Sequence, residues 1–209
     1  MQLFTYYRST SSYRVRIALA LKGLDNQAVP VNLLKGEHHQ PDYQAINPQG
    51  RVPALQTDGG SVLIQSPAII EYLEERYPAR PLLSKDLLTR AHERAVAALV
   101  ACDIHPLHNV SVLNQLRQLG QSEDQVTQWI GHWIGQGLAA IEQLIGDNGY
   151  CFGPEPGLAD VYVIPQVYAA ERFNVSLAAY PRITRVAALA QQHSAFIQAH
   201  PARQPDTPA

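Results

Sequence analysis

Residues 6–16 have the sequence Tyr6-Tyr7-Arg8-Ser9-Thr10-Ser11-Ser12-Tyr13-Arg14-Val15-Arg16 and stand between an apolar strand pattern and an apolar helix pattern. Four consecutive hydroxyl residues, Ser9 to Ser12, are surrounded by three arginines. A helix N-terminus offers unpaired backbone N–H groups and a partial positive charge, so it favours anions. We therefore expect a site here for a small anionic ligand, a thiolate or carboxylates, and not a site built on a protein nucleophile.

The residues on either side of this stretch alternate between strand and helix patterns. We expect strands at 1–6, 28–33, 52–57 and 62–64, helices at 11–21 and 66–77, and a helix or an irregular turn at 38–46. Pro30 has no N–H, which places its strand at an edge or at its start. Asp58-Gly59-Gly60 is typical of a hairpin turn. Ser66 is the expected N-cap of the third helix, with Pro67 at its first position.

Strand patterns nearly vanish after residue 86. We expect helices at 87–119, 122–145, 158–172 and 181–192, a short helical turn at 194–199, and an extended or mobile tail at 201–209. Pro106 should kink or split the first of these helices. The pattern predicts a small α/β domain, residues 1–80, followed by an all-α domain, residues 87–209.

Composition excludes several classes of protein. The chain has 209 residues, of which 46% are hydrophobic and 16% charged, with a formal net charge of −2. There is no basic excess for nucleic acid, no apolar run of about 18 residues for a membrane span, and no signal-peptide pattern at the N-terminus. Cys102 and Cys151 form neither a CxxC motif nor a metal-ligand spacing. We expect a cytoplasmic protein that uses no metal.

Six segments in order carry a family resemblance: RSTSSYRVRIAL (8–19), NPQGRVPAL (47–55), QSPAIIEYLEE (65–75), DIHPL (103–107), PQV (165–167) and HPARQPDTP (200–208). With these segments the chain resembles the zeta class of glutathione S-transferases over essentially its whole length. The resemblance implies a thioredoxin-like N-terminal domain, an all-α C-terminal domain, glutathione as cofactor and a homodimer. It implies isomerisation of a small diacid, maleylacetoacetate, to fumarylacetoacetate in tyrosine and phenylalanine breakdown.

The resemblance assigns the glutathione sulfur to the hydroxyl cluster. Ser9 is the expected partner of the thiolate, with Thr10 and Ser11 as neighbours and Arg14 as a further catalytic cation. The family has a Ser-Ser-Cys run here, whereas this chain has Ser9-Thr10-Ser11 and no cysteine. Catalysis must therefore rest on hydroxyls, the helix dipole and arginines. A free thiol has a pKa of about 8.5, which such donors lower. The structural alternatives are a loop with an N-cap serine and an ion pair at Arg14.

Further positions are implied to contact glutathione: His38, Val52, Pro53, Gln65, Ser66, His105, Asn109, Val110 and Ser111. The resemblance implies a cis Val52–Pro53 bond, whereas the residues alone favour trans. Ser66 is equally explained as an ordinary helix cap, and a loop histidine such as His38 usually binds nothing. The polar groups near Pro106 can instead satisfy carbonyls that the proline leaves unpaired.

Arg8 and Arg172 are the expected contacts to the carboxylates of the substrate, although an arginine at a helix end, as Arg172 is, can equally be solvated. Related activities stay open: maleylpyruvate isomerisation, or glutathione transfer to small halogenated acids. Maleylpyruvate isomerases of this family carry additional arginines near Val110-Ser111, and this chain lacks them, which favours maleylacetoacetate. An alternative of another class is a non-catalytic binding or regulatory protein with the same fold.

Overall fold

The computed structural model describes residues 1–208, which form two compact units. The first unit is Met1–Leu82 together with the C-terminal segment that begins at Gln192, and the second is Leu83–Gln191. The structure therefore departs from the expected all-α domain 87–209 at its C-terminal end. The physical reason is that the last helix packs against the first helix of the chain.

Four short strands form one mixed sheet in the first unit. They are β1 (Gln2–Thr5), β2 (Gln27–Pro30), β3 (Ala54–Gln56) and β4 (Val62–Ile64), in the order β2-β1-β3-β4. β1 runs parallel to β2 and antiparallel to β3, and β3 runs antiparallel to β4. Pro30 lies on the edge strand, as its missing N–H predicts.

The helices follow the sequence pattern, with bounds shifted by a few residues. They are α1 (Thr10–Lys22), α2 (Pro41–Ile46), α3 (Ser66–Arg76), α4 (Leu87–Ala98), α5 (Val110–Gln118), α6 (Glu123–Leu144), α7 (Leu158–Arg172), α8 (Pro181–Ala190) and α9 (Ser194–Ala199). The order β-α-β-α-β-β-α of the first unit is confirmed, as is the α/β-plus-α fold class.

The side chains of β1 and β3 separate the core of the first unit into two layers. Leu3 and its register partner Leu55 are fully buried, as are Ile69 and Leu73 of α3. Phe4 and its partner Ala54 belong to another cluster, with Tyr43 of α2. Because successive side chains of a strand point to opposite faces, helices cover both faces of this sheet.

The second unit is all-helical. α7 packs against α4 and α8, and every residue of α7 from Leu158 to Val167 is buried. Asp160 reaches back to accept the Gly157 N–H at 2.8 Å, which is the side-chain half of a capping box that a glycine N-cap still permits. Asp160 is thus a structural residue that fixes the start of the central helix.

The region Leu87–Gln118 corrects one expectation. It contains a helical stretch that is long and apolar enough to cross a membrane by length and composition alone, whereas no such stretch was expected. A single stretch of this kind is weak evidence, because core helices of globular proteins pass the same test. Between α4 and α5 it changes to a π-helical turn, Leu99–Ile104, and a 3₁₀ turn, His105–His108, that contains Pro106. The predicted split at Pro106 is confirmed.

Over residues 201–208, the C-terminal tail corrects the expectation that it is extended or mobile, and residue 209 lies outside the described residues. Pro201–Arg203 form a 3₁₀ turn, and the Thr207 hydroxyl donates to the Pro201 carbonyl at 2.6 Å. The Gln204 amide donates to the carbonyls of Gln198 and His200, each at 3.0 Å. These side-chain bonds give the proline-rich tail a defined path on the first unit.

Candidate functional site

Three loop segments of the first unit meet at one edge of the sheet. β1 ends at Thr5, β3 begins at Ala54, and β4 ends at Ile64. Ala54 is the register partner of both Phe4 and Ile64, so these strand ends are neighbours. The residues that follow β1, precede β3 and follow β4 therefore lie close together. They hold Ser9, the Val52–Pro53 bond and the Gln65-Ser66 pair.

Ser9 is the N-cap of α1. It has extended backbone angles (φ −70°, ψ 118°), and its hydroxyl oxygen accepts the Ser12 N–H at 3.2 Å. A serine hydroxyl that accepts one bond keeps its own proton for donation. Thr10 and Ser12 are buried, whereas Ser9 and Ser11 are partly exposed. Within the predicted cluster, Ser9 and Ser11 are therefore the hydroxyls placed to reach a ligand.

The three arginines around the cluster have different environments. Arg8 is exposed, whereas Arg16 is 6% exposed and donates to Thr5 Oγ1, to the carbonyls of Tyr6 and Tyr7, and to a carbonyl of α9. Arg16 thus holds the turn that precedes Ser9 in place. Of the three, only Arg8 is exposed to a ligand from solvent.

Arg14, the expected further catalytic cation, is a buried residue close to the start of α3. It is 2% exposed, and its Nη1 lies 3.4 Å from the hydroxyl oxygen of Ser66. A guanidinium that is covered on nearly all sides acts on a ligand through the groups it contacts. The structure therefore places Arg14 behind Ser66, where it orients that hydroxyl and adds positive charge beneath the start of α3.

The start of α3 differs by one residue from the prediction. Gln65, not Ser66, is the N-cap, and α3 begins at Ser66 with Pro67 following it. Gln65 has φ 69° and ψ 118°, and its side chain makes no capping bond. Positive φ is strained for a non-glycine residue and is found preferentially at functional sites. The N–H groups of the first turn, left without a side-chain cap, suit a carboxylate.

The Val52–Pro53 peptide bond is cis, as the resemblance implies. Val52 is partly buried and lies outside the strand ladder, which begins at Ala54. Its main-chain N–H and C=O are therefore not used by the sheet. They suit an extended peptide that pairs with this segment as an added strand.

His38 lies in a 3₁₀ turn (Glu37–His39), with its ring 3.8 Å from the ring of His39. Burial, followed by the charge of His39, lowers the pKa of His38, so His38 is neutral at pH 7 and can bind a carboxylate by hydrogen bonding. Gly50 lies beside it with φ +60°, and a Cβ there would meet the His38 carbonyl oxygen at 2.9 Å. Glycine is therefore required where the two loops meet.

Gln49 is a residue of this site that sequence reasoning missed. Its side-chain oxygen accepts the Gln65 amide at 2.6 Å, which joins the loop after α2 to the start of α3. Asn47, also missed, donates to the Arg51 carbonyl at 2.6 Å and accepts the Gln49 N–H at 3.0 Å. The only signal was their presence in the NPQG segment. Through these bonds the first unit brings together His38, Val52, Gln65 and Ser66.

The positions predicted in the second unit form a separate group. Asn109 is the N-cap of α5, and its side-chain oxygen accepts both the N–H and the hydroxyl of Ser111, at 3.2 and 3.1 Å. Val110 is 65% exposed and His105 is half-buried. The Asn109 side-chain oxygen is thus used to cap α5.

Aromatic contacts connect the His105 turn with the end of α7. The His105 ring lies 5.3 Å from the His108 ring, and His108 lies 5.7 Å from Phe173. Arg172 lies over the Phe173 ring at 4.5 Å. The buried His108 is also within 3.3 Å of the Gln166 amide oxygen. The sequence pattern did not indicate His108, Gln166 or Phe173. The second unit thus places His105 and Arg172 at the two ends of a series of edge-to-face and cation–ring contacts.

The geometry of the first unit fits a γ-glutamyl tripeptide with a thiol. It offers a hydroxyl at a helix N-terminus, main-chain groups outside the sheet, and a second helix N-terminus with a buried cation beneath it. These suit a thiolate, a peptide backbone and a carboxylate respectively. Within residues 1–208, no group of three or more His, Cys, Asp or Glu side chains is placed to hold a metal ion.

Comparisons with known proteins agree with this geometry. Residues 3–81 match the family described as glutathione S-transferase, N-terminal domain, and residues 124–196 match glutathione S-transferase, C-terminal domain. The chain is 75% identical to a maleylacetoacetate isomerase of Pseudomonas aeruginosa, and the alignment covers 100% of both proteins.

Solved structures extend this similarity. The chain superposes with a TM-score of 0.96 and 47% identity on the holo structure of a maleylpyruvate isomerase described as a bacterial glutathione S-transferase of the zeta class, with full coverage of both chains. It superposes with a TM-score of 0.94 and 36% identity on a Methylobacterium extorquens maleylacetoacetate isomerase with bound malonate and glutathione, again with full coverage. The chain therefore belongs to the zeta class of the glutathione S-transferase family.

Proposed function

We propose that this protein is a glutathione-dependent isomerase that converts maleylacetoacetate to fumarylacetoacetate. The observation that carries the proposal is the Ser9 hydroxyl at the N-terminus of α1, which accepts the Ser12 N–H and keeps a proton to donate. This is the arrangement that holds a thiolate. The relative with 75% identity over its full length carries the name of this activity.

Bound glutathione would supply a thiolate that adds to the cis double bond of the substrate and leaves again after rotation, so that no net oxidation or hydrolysis occurs. The chain's part is to bind and orient. The Ser9 hydroxyl donates a hydrogen bond to the thiolate sulfur. The dipole of α1 further stabilises the negative charge on that sulfur. Val52 aligns the tripeptide backbone, and the start of α3, supported by Arg14, holds the γ-glutamyl carboxylate.

The diacid is proposed to contact cations and donors outside the glutathione site. Arg8 is exposed beside Ser9, which suits a carboxylate or the negative charge that develops on a keto oxygen of the substrate. Arg172 lies over the Phe173 ring at 4.5 Å and is the proposed contact of the far carboxylate. His105, Asn109, Val110 and Ser111 stay proposed contacts on the second unit.

The pathway, the oligomeric state and the cellular location are part of the same proposal. We place the reaction in the breakdown of tyrosine and phenylalanine, as the family resemblance implies. A homodimer is proposed from the family, together with the strongly exposed Leu87 and Leu88, which suit a subunit interface. A cytoplasmic location accords with two cysteines that are free thiols, Cys102 and Cys151.

Maleylpyruvate isomerisation is the second candidate, because a structure of that name superposes with a TM-score of 0.96. Both substrates present a cis double bond conjugated to a ketone and a terminal carboxylate. The positions Val110 and Ser111 carry no positive charge in this chain. That composition favours the longer substrate, whose far carboxylate has Arg172 as its proposed partner.

The test is an absorbance assay of maleylacetoacetate and of maleylpyruvate, each with and without glutathione. The proposal expects loss of maleylacetoacetate only in the presence of glutathione, with a higher kcat/KM than for maleylpyruvate. Equal rates with and without glutathione, or none with either substrate, would refute it. Retention on immobilised glutathione separates a binding protein without activity from a protein that binds no glutathione.

A further inference from the structure

The main chain of Tyr7 is held by side chains on both of its polar groups. Its N–H donates to Asp206 Oδ2 at 2.8 Å, and its C=O accepts from Arg16 Nη2 at 3.0 Å. Asp206 is separated from Tyr7 by 199 positions in the sequence. An element at the far end of the chain therefore fixes the peptide unit two residues before Ser9.

The turn between β1 and α1 transmits this contact to the hydroxyl cluster. The Ser9 N–H donates to the Tyr6 carbonyl at 3.0 Å, and the same carbonyl lies 3.5 Å from Arg16 Nη1. Residues 6–9 thus form one hydrogen-bonded turn that contains the exposed Arg8 and ends at the N-cap. Movement of the Tyr7 peptide would move Arg8 and Ser9 with it.

Asp206 is itself held in place. The Thr207 hydroxyl donates to Pro201 at 2.6 Å, and Gln204 donates to Gln198 and His200 at 3.0 Å each. Asp206 Oδ1 is buried and has no hydrogen-bond partner among residues 1–208. A buried acceptor without a partner is unfavourable for stability, so stability alone is a poor explanation for a carboxylate at this point.

We propose that Asp206 is a positioning residue for catalysis: by accepting the Tyr7 N–H, it fixes the turn that aims Ser9 at the glutathione sulfur. The inference rests on the proposed function, in which Ser9 donates to that sulfur. The role belongs to the acceptor oxygen and not to the negative charge, because a carboxylate near a thiolate would oppose its ionisation.

The contributions of the acceptor oxygen and of the negative charge can be separated with Asp206→Asn and Asp206→Ala. Asparagine keeps an acceptor oxygen for the Tyr7 N–H and removes the charge, whereas alanine removes both. Arg203→Ala is the matched control, because Arg203 is an exposed residue of the same tail. Each variant is measured as the full-length protein for kcat, for the KM of glutathione, for thermal unfolding, and for the pKa of the bound thiol, followed by thiolate absorbance.

Asp206→Ala should raise the pKa of the bound thiol by about one and lower kcat about tenfold, as expected when the hydrogen bond from the Tyr7 N–H no longer fixes the turn. Asp206→Asn and Arg203→Ala should keep kcat within about twofold of the wild type and the thiol pKa within about 0.3 of it. A fall in the thiol pKa shared by Asp206→Asn and Asp206→Ala would assign Asp206 a purely electrostatic effect and overturn the proposal. So would a lower unfolding temperature in Asp206→Ala with unchanged kcat and thiol pKa.

Failure of the proposed function would look different. Wild-type protein that binds no glutathione, or that binds it without a shift in the thiol pKa, would remove the site on which the inference rests. Wild-type protein with a depressed thiol pKa and full isomerase activity, beside an Asp206→Ala variant that equals it, would overturn the inference alone.

Discussion

The hydroxyl oxygen of Ser9 accepts the backbone N–H of Ser12 at 3.2 Å, so the proposed thiolate partner is also the cap of α1. Its two roles use different parts of the hydroxyl. The oxygen lone pair serves the helix, and the proton is left for a ligand. A substitution at this position therefore changes stability and catalysis together, and its test needs a control that changes stability alone.

Ser9→Ala should lower the isomerase kcat at least tenfold and the unfolding free energy by about 1 kcal/mol, the usual loss for an N-cap. Ser122→Ala is the control, since Ser122 caps α6 by accepting the Gln125 N–H at 3.3 Å. It should show a similar loss of stability with unchanged kcat. Chemical denaturation and the absorbance assay measure the two effects. An unchanged rate in Ser9→Ala would move the role to Thr10 or Ser11.

Lys22 and Glu74 form a buried ion pair that joins α1 to α3. Their charged atoms are 2.6 Å apart, and the Lys22 side chain is 0% exposed. Lys22→Met should lower the unfolding free energy by about 3 kcal/mol, because it leaves a mostly buried carboxylate without its cation. Arg117→Ala is the contrast, since it breaks an exposed pair with Glu123 and should change the denaturation midpoint little. Comparable losses in both variants would contradict this assignment.

Gly137 on α6 makes room for the buried Ile104 side chain of the π-helical turn. A Cβ at Gly137 would overlap the Ile104 side chain, so Gly137→Ala should lower the unfolding free energy by about 1–3 kcal/mol. Gly131 lies in the same helix, and a Cβ there meets no heavy atom within 4 Å in the described part of the chain. Gly131→Ala should therefore stabilise by up to about 1 kcal/mol. Equal effects of the two alanines on the denaturation midpoint would refute this packing.

His200 gives a pH dependence with a defined sign. Burial, then the charges of Arg16 and Arg203, lower its pKa, and its Nδ1 accepts the Ala202 N–H at 3.2 Å. Between its folded pKa and about 6.5, the ordinary value of the unfolded chain, the unfolded state binds more protons. The contribution of neutral His200 to stability is therefore complete above about pH 6.5 and is lost as pH falls through the folded pKa.

His200→Asn keeps an acceptor for the Ala202 N–H and cannot titrate. Its unfolding free energy should fall less steeply than that of the wild type between pH 7 and pH 5. Denaturation curves across this range measure the difference. Parallel pH profiles for the two proteins would show that His200 does not titrate differently in the folded and unfolded states.

The sequence predicted the helices and strands well where residues close together in the chain determine them. The Asp58-Gly59-Gly60 turn signal placed β4, the apolar stretch 158–172 gave α7 its bounds, and Pro106 predicted the break after α4. The α3 cap was placed one residue late, because Ser66 and Pro67 are good starting residues and nothing in the sequence indicates that Gln65 adopts φ 69°. That angle depends on surrounding contacts, including the bond from Gln65 to Gln49.

The arginines near the hydroxyl cluster also show that the sequence does not predict where a side chain points. All three near the hydroxyl cluster were reasonable anion ligands by composition, but Arg16 is used by the turn and by α9, and Arg14 is buried behind Ser66. A side chain's charge is read from the sequence, whereas its direction depends on the helix face it occupies and on what packs there. The tail was misjudged for this reason too, since its prolines say nothing of the bond from Tyr7 to Asp206.

By itself, the sequence determined the β-α-β-α-β-β-α order, the helical second part, the anion-favouring start of α1 and the family. These follow from residue spacing and from backbone groups that every helix N-terminus exposes. Only the tertiary structure decided that the C-terminal segment belongs to the first unit, that Arg14 supports Ser66, and that Asp206 holds the turn before Ser9. Such contacts join residues far apart in the chain, and their free energy depends on burial and orientation, which no local pattern contains.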